Sequence, residues 1–330
     1  MSAPSQDTHD VVPNPIHARP VPRPGRWVSA VVLLVLAAMA VNALITNPRF
    51  RWDLVWLYLR DVVVIRGVMW TLVLTFGSMV IAIALAVALA VMRRSDNPVM
   101  RSFSWFYIWF FRGTPIYTQL VFWGLLSVLY PRLSLGIPFG PEFFTFTTRD
   151  VITAFWAALF GLALNEAAYL AEIVRAGLTS VDSGQTEAAK ALGMKDRTIL
   201  RRVVLPQAMR VIVPPTGNET ISMLKTTSLV LAVPFTLDLT YATNAIGNRT
   251  FQPIPLLMIA ALWYLLITSI LMIGQHFLER YYGRGFGTTP SGGGGGPGGR
   301  FGRRRRKPSK QDLIRASGTT RQDPFLEVTP

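Results

Sequence analysis

Six separate stretches of this chain are each long and apolar enough to cross a bilayer, which takes about 20 mostly apolar residues in a helix. They run from Trp27 to Thr46, from Gly67 to Met92, within Phe103 to Tyr130, from Val151 to Leu170, from Val211 to Val233, and from Ile254 to Ile273. Hydrocarbon offers no hydrogen bonds, so a spanning segment must satisfy its own main-chain groups, and six helices are expected. The fold class read from this pattern is all-α, a polytopic membrane protein. Charged residues make up only 15% of the 330, against about a quarter in soluble domains. The first stretch has a second reading. Arg19, Arg23 and Arg26 precede it and Ala38-Met39-Ala40 resembles a cleavage site, as in a signal peptide. Its apolar run, however, continues to Ile45.

Lysine and arginine placement sets the orientation. With the N-terminus inside, segments 1–26, 93–102, 171–210 and 278–330 face the cytoplasm and hold 24 basic residues, while the three outer loops hold 7. Without the C-terminal tail the bias is still 13 to 7. Both termini are therefore expected inside. Residues 1–26 form a cytoplasmic tail, 27–46 a first helix and 60–280 a helical core. Residues 281–330 are rich in glycine and arginine and are expected to be disordered beside an anionic leaflet.

Several chemistries are excluded. There is no cysteine, so no disulfide, thiolate site or cysteine nucleophile. The three histidines, His9, His17 and His276, are scattered towards the termini and make no metal site. The net charge of +15 suggests nucleic acid, but the basic run Arg303 to Lys307 has no aromatic interleaving, and no nucleic-acid partner is expected. The glycine run before it lacks the Gly-Lys-Ser/Thr ending of a phosphate-binding loop. No nucleophile–base pair stands out, so enzymatic activity is not expected.

Charged groups inside spans persist where they face a cavity, a partner or each other. Arg112, Glu166, Glu219 and Lys225 are the cases here, accompanied by Asn165 and Asn218. Arg112, Gly113, Thr114 and Pro115 predict a bent or unwound third span, whose freed backbone groups could meet a substrate. The alternative is a structural kink with Arg112 paired to a carboxylate or reaching the interface. Asn218, Ser222 and Lys225 recur at helical spacing on one face of the fifth span, which begins at Pro214-Pro215. Lys225 could receive a carboxylate or hold Glu166 or Glu219 in a structural pair. Glu166 could receive an ammonium, whereas Glu219 lies off the stripe and reads as packing or interface. Glu172 and Arg175, three apart, read as a pair. Ser78, Ala82, Ala86 and Ala90 form a small-residue stripe for close helix packing.

The longest inner loop, within 183–206, reads as two short helices. Glu187 to Leu192 form the first, with Glu187 near its N-terminus and Gly193 in its C-terminal turn. Asp196 would cap the second, and Pro206 would redirect the chain into the fifth span. Small Ala188 and Ala189 would let the first helix enter a partner's groove.

The pattern Glu187-Ala188-Ala189, Gly193 and Leu205-Pro206 resembles the coupling-helix motif of bacterial ABC importer permeases. Phe111 to Pro115, Asn165 to Arg175, Leu205 to Ala208, Asn218, and Leu224 to Leu229 narrow the resemblance to the polar amino acid uptake family of histidine, glutamine and glutamate permeases. Val203 stands where isoleucine is common, Ala167 where glycine is, and Thr226 where an acidic residue is. The resemblance covers roughly residues 60–280. It implies a five-helix core preceded by one extra helix, in a bacterial cell membrane. It implies a pore shared with a second permease, as a homodimer or heterodimer. A cytoplasmic ATPase dimer would carry ATP and magnesium, none being bound by this chain, and an extracytoplasmic binding protein would deliver the amino acid. Coupling would fall to Glu187, Ala188, Ala189, Gly193, Leu205 and Pro206. Pathway candidates are Arg112, Thr114, Asn165, Glu166, Asn218, Ser222 and Lys225. The extra helix and long tail resemble the larger permease of actinobacterial glutamate-uptake systems, which favours glutamate over glutamine or basic amino acids. A stand-alone ion-coupled transporter or channel is the rival reading, and a membrane scaffold with a recruiting tail is a third.

Overall fold

The computed structural model describes residues 24–137 and 140–283. The expectations for the first 23 residues, and for the glycine- and arginine-rich tail from 284 onward, lie outside the described residues. The helices are α1 (Pro24–Thr46), α2 (Trp52–Tyr58), α3 (Val62–Arg93), α4 (Pro98–Gly113), α5 (Ile116–Gly124), α6 (Leu126–Leu129), α7 (Thr148–Val151), α8 (Ala154–Thr179), α9 (Ser183–Ala191), α10 (Asp196–Ile199), α11 (Leu205–Thr226), α12 (Leu239–Thr250) and α13 (Pro253–Tyr282). Strands β1 (Arg132–Gly136) and β2 (Glu142–Thr147) pair antiparallel between α6 and α7. The chain is thus mainly helical but not wholly so. Leu133 faces Phe146 and Leu135 faces Phe144 across this hairpin, whose alternating sequence suits a strand.

Among the described residues four helices are long and apolar enough to cross a membrane: α1, α3, α8 and α13. They coincide with the first, second, fourth and sixth predicted spans. The other two differ in kind. The third divides into α4 and α5, because Pro115 has no N–H and drives Thr114 into an extended conformation (φ −110°, ψ 142°). The fifth, α11, is more polar and starts at Leu205, so Pro214 and Pro215 sit inside the helix instead of opening it. A 3₁₀ segment, Thr227–Ala232, continues it. Helix α12 and the hairpin occupy loops that carry no long apolar run.

Two clusters build the core. In one, α3 packs along α8: Ala82 and Ala86 cluster with Ala158, Leu162 and Leu170, and Ser78 and Ala90 on the same stripe are also buried. The small-residue stripe is therefore an interface within this chain. Without large side chains at these positions the backbones approach closely, and dispersion contacts replace the hydrophobic drive that lipid cannot supply. The second cluster joins Val64 and Val68 of α3 to Leu239 and Ile246 of α12 and to Leu256 and Ile259 of α13.

Polar side chains inside these layers are spent on the backbone. Thr75 donates to the Thr71 carbonyl at 2.7 Å, and Ser104 of α4 to that of Leu89 at 2.8 Å. Tyr107 of α4 donates to the Leu164 carbonyl of α8 at 2.9 Å. The Leu239 amide donates to Thr71 Oγ1 at 3.1 Å and docks the start of α12 on α3. Helix α1 stands apart, its side chains exposed along its length, and meets the core where Trp52 Nε1 donates to the Leu44 carbonyl at 2.9 Å.

The docking of α12 requires Gly67. A methyl group there would lie 2.9 Å from Leu239 Cα, a main-chain atom that cannot step aside. Gly67→Ala is expected to cost about 1–3 kcal/mol and to lower the thermal midpoint of the detergent-solubilised protein. Gly274→Ala, where nothing lies within 4 Å, should leave that midpoint unchanged or slightly raised.

Candidate functional site

The break between α4 and α5 carries two main-chain carbonyls that a continuous helix would have satisfied. One glutamine meets both. Gln119 Nε2 donates to the Phe111 carbonyl at 3.0 Å, the Thr114 carbonyl at 3.1 Å and Thr114 Oγ1 at 2.6 Å. Its Oε1 accepts from Asn165 Nδ2 of α8 at 3.1 Å, and Asn165 also donates to the Phe111 carbonyl at 2.9 Å. Thr114 and Asn165, both read from sequence as pathway residues, are thus parts of a latch that closes the break. Gln119 was missed. A buried amide one helical turn beyond Pro115 in an apolar run was the available signal.

Arg112 ends α4 without a carboxylate partner among the described residues. Its guanidinium lies over the Tyr169 ring of α8, 5.3 Å from the centroid. One turn earlier on α8, Glu166 is only 7% exposed and its Oε1 has no hydrogen-bond partner. Glu219 of α11 is half-buried, and neither carboxylate forms an ion pair among the described residues. The pairing of Lys225 with Glu166 or Glu219, one of the two readings from sequence, is not observed: the ion pairs among the described residues are Arg51–Asp53, Glu172–Arg175 and Lys190–Asp196. Glu172 and Arg175 are paired at 2.7 Å, as their spacing suggested. Asn218, Ser222 and Lys225 lie exposed along one face of α11, while Ile221, Met223 and Leu224 between them are buried.

The segment after α8 differs in detail from its sequence reading. Helix α9 begins at Ser183, capped by Asp182, whose carboxylate accepts from the Gly184 amide at 2.6 Å. Glu187 is therefore in the second turn, beyond the strongest field of the helix N-terminus. Gly193 takes φ +74°, and the Gly193 and Met194 amides donate to the Lys190 and Ala189 carbonyls at 2.9 and 3.2 Å, the paired bonds of a glycine-terminated helix. Asp196 does not cap α10. Lys195 stands at the cap, and Asp196 pairs with Lys190 at 3.4 Å. Pro206 does not turn the chain either, because α10 runs through a π-helical turn, Leu200–Val204, into α11. Proline is tolerated in the first turn, where its missing N–H is least costly. Ala189 is buried against Ile199 and Val204 and so belongs to the internal packing. Glu187, Ala188 and Leu192 remain exposed, Leu192 at 82%.

The latch gives a direct expectation. Gln119→Leu fills the space but removes the donor to the Thr114 carbonyl, a loss worth about 1–3 kcal/mol for a buried group. The variant should show a lower thermal midpoint in detergent and slower transport at equal membrane abundance.

The chain is similar to known proteins. Residues 78–283 match the family described as binding-protein-dependent transport system inner membrane component. The arginine transport system permease protein ArgU of Corynebacterium glutamicum is 49% identical over 274 residues, 83% of this chain and 85% of that protein. The histidine/lysine/arginine/ornithine transport system permease protein HisM of Salmonella typhimurium is 36% identical over 62% of this chain and 84% of its own length. A crystal structure of an amino acid ABC transporter with histidines aligns with a TM-score of 0.55 at 34% identity, covering 66% of this chain and 94% of that one. The chain belongs to the binding-protein-dependent transport family as an inner-membrane permease component of an amino acid ABC importer, a transport subunit whose ATP hydrolysis resides in a partner.

Proposed function

We propose that this chain, with six spans and both termini inside, shares with a second permease the pathway of an importer for cationic amino acids. The observation that carries this reading is the buried Glu166 carboxyl group, unpartnered at Oε1 and in no ion pair among the described residues. Such a group suits a guanidinium or ammonium group, which offers several donors and a positive charge. Asn218, Ser222 and Lys225, exposed on α11, suit the α-carboxylate of the same substrate. The named substrates of two relatives agree with this: arginine for one, and histidine, lysine, arginine and ornithine for the other.

Glutamate, favoured by the terminal extensions, fits less well. Its side chain would bring another carboxylate towards Glu166 and Glu219. Like charges repel more strongly where water is excluded than in bulk solvent. In the reconstituted importer with its binding protein, arginine should stimulate ATP hydrolysis and glutamate should not. Glu166→Gln should raise the KM for arginine about tenfold, or about 1.4 kcal/mol. Stimulation by glutamate alone, or an unaltered KM in the variant, would sink this reading.

Segment 183–206 is proposed to dock on the cytoplasmic ATPase through the exposed edge of α9, with Leu192 as its apolar anchor and Glu187 beside it. Gly193 ends that edge in a left-handed conformation that a β-branched residue resists. Gly193→Val is expected to abolish uptake and to reduce ATPase co-purification, with membrane insertion unchanged. The ion-coupled alternative leaves this exposed edge without a role.

A further inference from the structure

An apolar groove of about 440 Å³ opens between α3, α8 and α11, on the side of the core that carries segment 183–206. Val87 and Val91 of α3, Leu170 and Val174 of α8, and Met209 and Val213 of α11 wall it. Its volume falls within the range of about 300–1,000 Å³ typical of small-molecule sites. No charged side chain lines it. Charge gathers instead at the end nearest the coupling segment. Arg93 and Arg94 follow Val91 at the end of α3. Arg201 and Arg202 lie in the π-helical turn between Leu200 and Leu205, which also line the groove. None of the four forms an ion pair with a carboxylate among the described residues.

An apolar slot whose walls continue in sequence into arginines without ion pairs among the described residues has the polarity of one kind of ligand, an acyl chain joined to an anionic headgroup. We propose that the groove holds one chain of an anionic phospholipid of the cytoplasmic leaflet, with its phosphate held by Arg93, Arg94, Arg201 and Arg202. Arginine suits that phosphate because its planar donors pair with two oxygens at once. From Ile83 to Val91 the wall is about 12 Å long, a length that an acyl chain can follow. The occupant is also separate from the proposed pathway, because Asn218, Ser222 and Lys225 are not among the lining residues. A lipid bound there would bridge the end of α3 to the π-helical turn that leads out of the coupling segment.

The test uses the assembled importer in bilayer discs made from an equal mixture of phosphatidylglycerol and phosphatidylcholine. Lipids retained after mild delipidation are identified by native mass spectrometry. Wild type should retain phosphatidylglycerol about tenfold over phosphatidylcholine. The double variant Arg201→Gln, Arg202→Gln should lose that preference. Since the chain has no cysteine, Val87→Cys can be alkylated with a bulky maleimide after assembly, which should expel the lipid without any folding step. Val128→Cys, exposed on α6 away from the groove, should retain it after the same treatment. Equal retention of both lipids by wild type, unchanged retention after Val87 is blocked, or crosslinking of Val87→Cys to the second permease would each overturn the proposal.

Discussion

A bilayer does not forgive an unpaired main-chain carbonyl, and the architecture answers that constraint at the one span it breaks. Pro115 opens a gap between α4 and α5 that water could fill in a soluble protein. Here Gln119 and Asn165 fill it, so the break becomes a fixed joint held by side chains of two elements. Because Asn165 belongs to α8, the latch also sets the position of Glu166, the next residue on that helix. A residue that closes the backbone thereby aims the carboxylate beside it. The same economy recurs in α3 and α4, where Thr75, Ser104 and Tyr107 spend their hydroxyls on carbonyls of their own or neighbouring helices. The polar groups left over, Glu166 above all, are the ones for which the fold supplies no internal partner.

Much of this was legible from sequence. Long apolar runs such as Gly67 to Met92 have one physical solution, and the strongest of them became single helices. The left-handed turn at Gly193 follows from a good helix-forming run that ends in glycine. The short hairpin was hidden because Leu133, Leu135, Phe144 and Phe146 alternate over too few residues to stand out beside membrane helices. The start of α11 was misplaced because Pro214 and Pro215 look like a helix boundary. A membrane-embedded helix retains prolines when neighbouring helices support it, and Gln275 of α13 donates to the Pro214 carbonyl at 2.8 Å.

The site was legible in its residue types more than in its pairings. Sequence alone raised Arg112, Glu166, Glu219 and Lys225 by the cost of placing charge in lipid, but opposite signs invite pairing on paper. Three-dimensional placement set Arg112 over an aromatic ring and left Glu166 and Glu219 without an ion pair among the described residues. Asp196 failed as a cap for a similar reason: a nearby ammonium, that of Lys190, competes for the carboxylate. Distances of a few ångströms decide such choices, and spacing along the chain does not carry them.

The uninterrupted run from Asp196 to Thr226 has a consequence for energy transfer. With the π-helical turn included, it is one helical rod of 31 residues, about 46 Å long. Its near end leaves the proposed ATPase contact and its far half carries Glu219. On the proposed reading, a shift of this segment relative to α8, which carries Glu166, would alter the affinity for a cationic substrate. Linkage then runs both ways: if nucleotide binding changes cation affinity by some factor, the cation changes nucleotide affinity by the same factor. Such linkage would make the substrate an effector of the motor as well as its cargo.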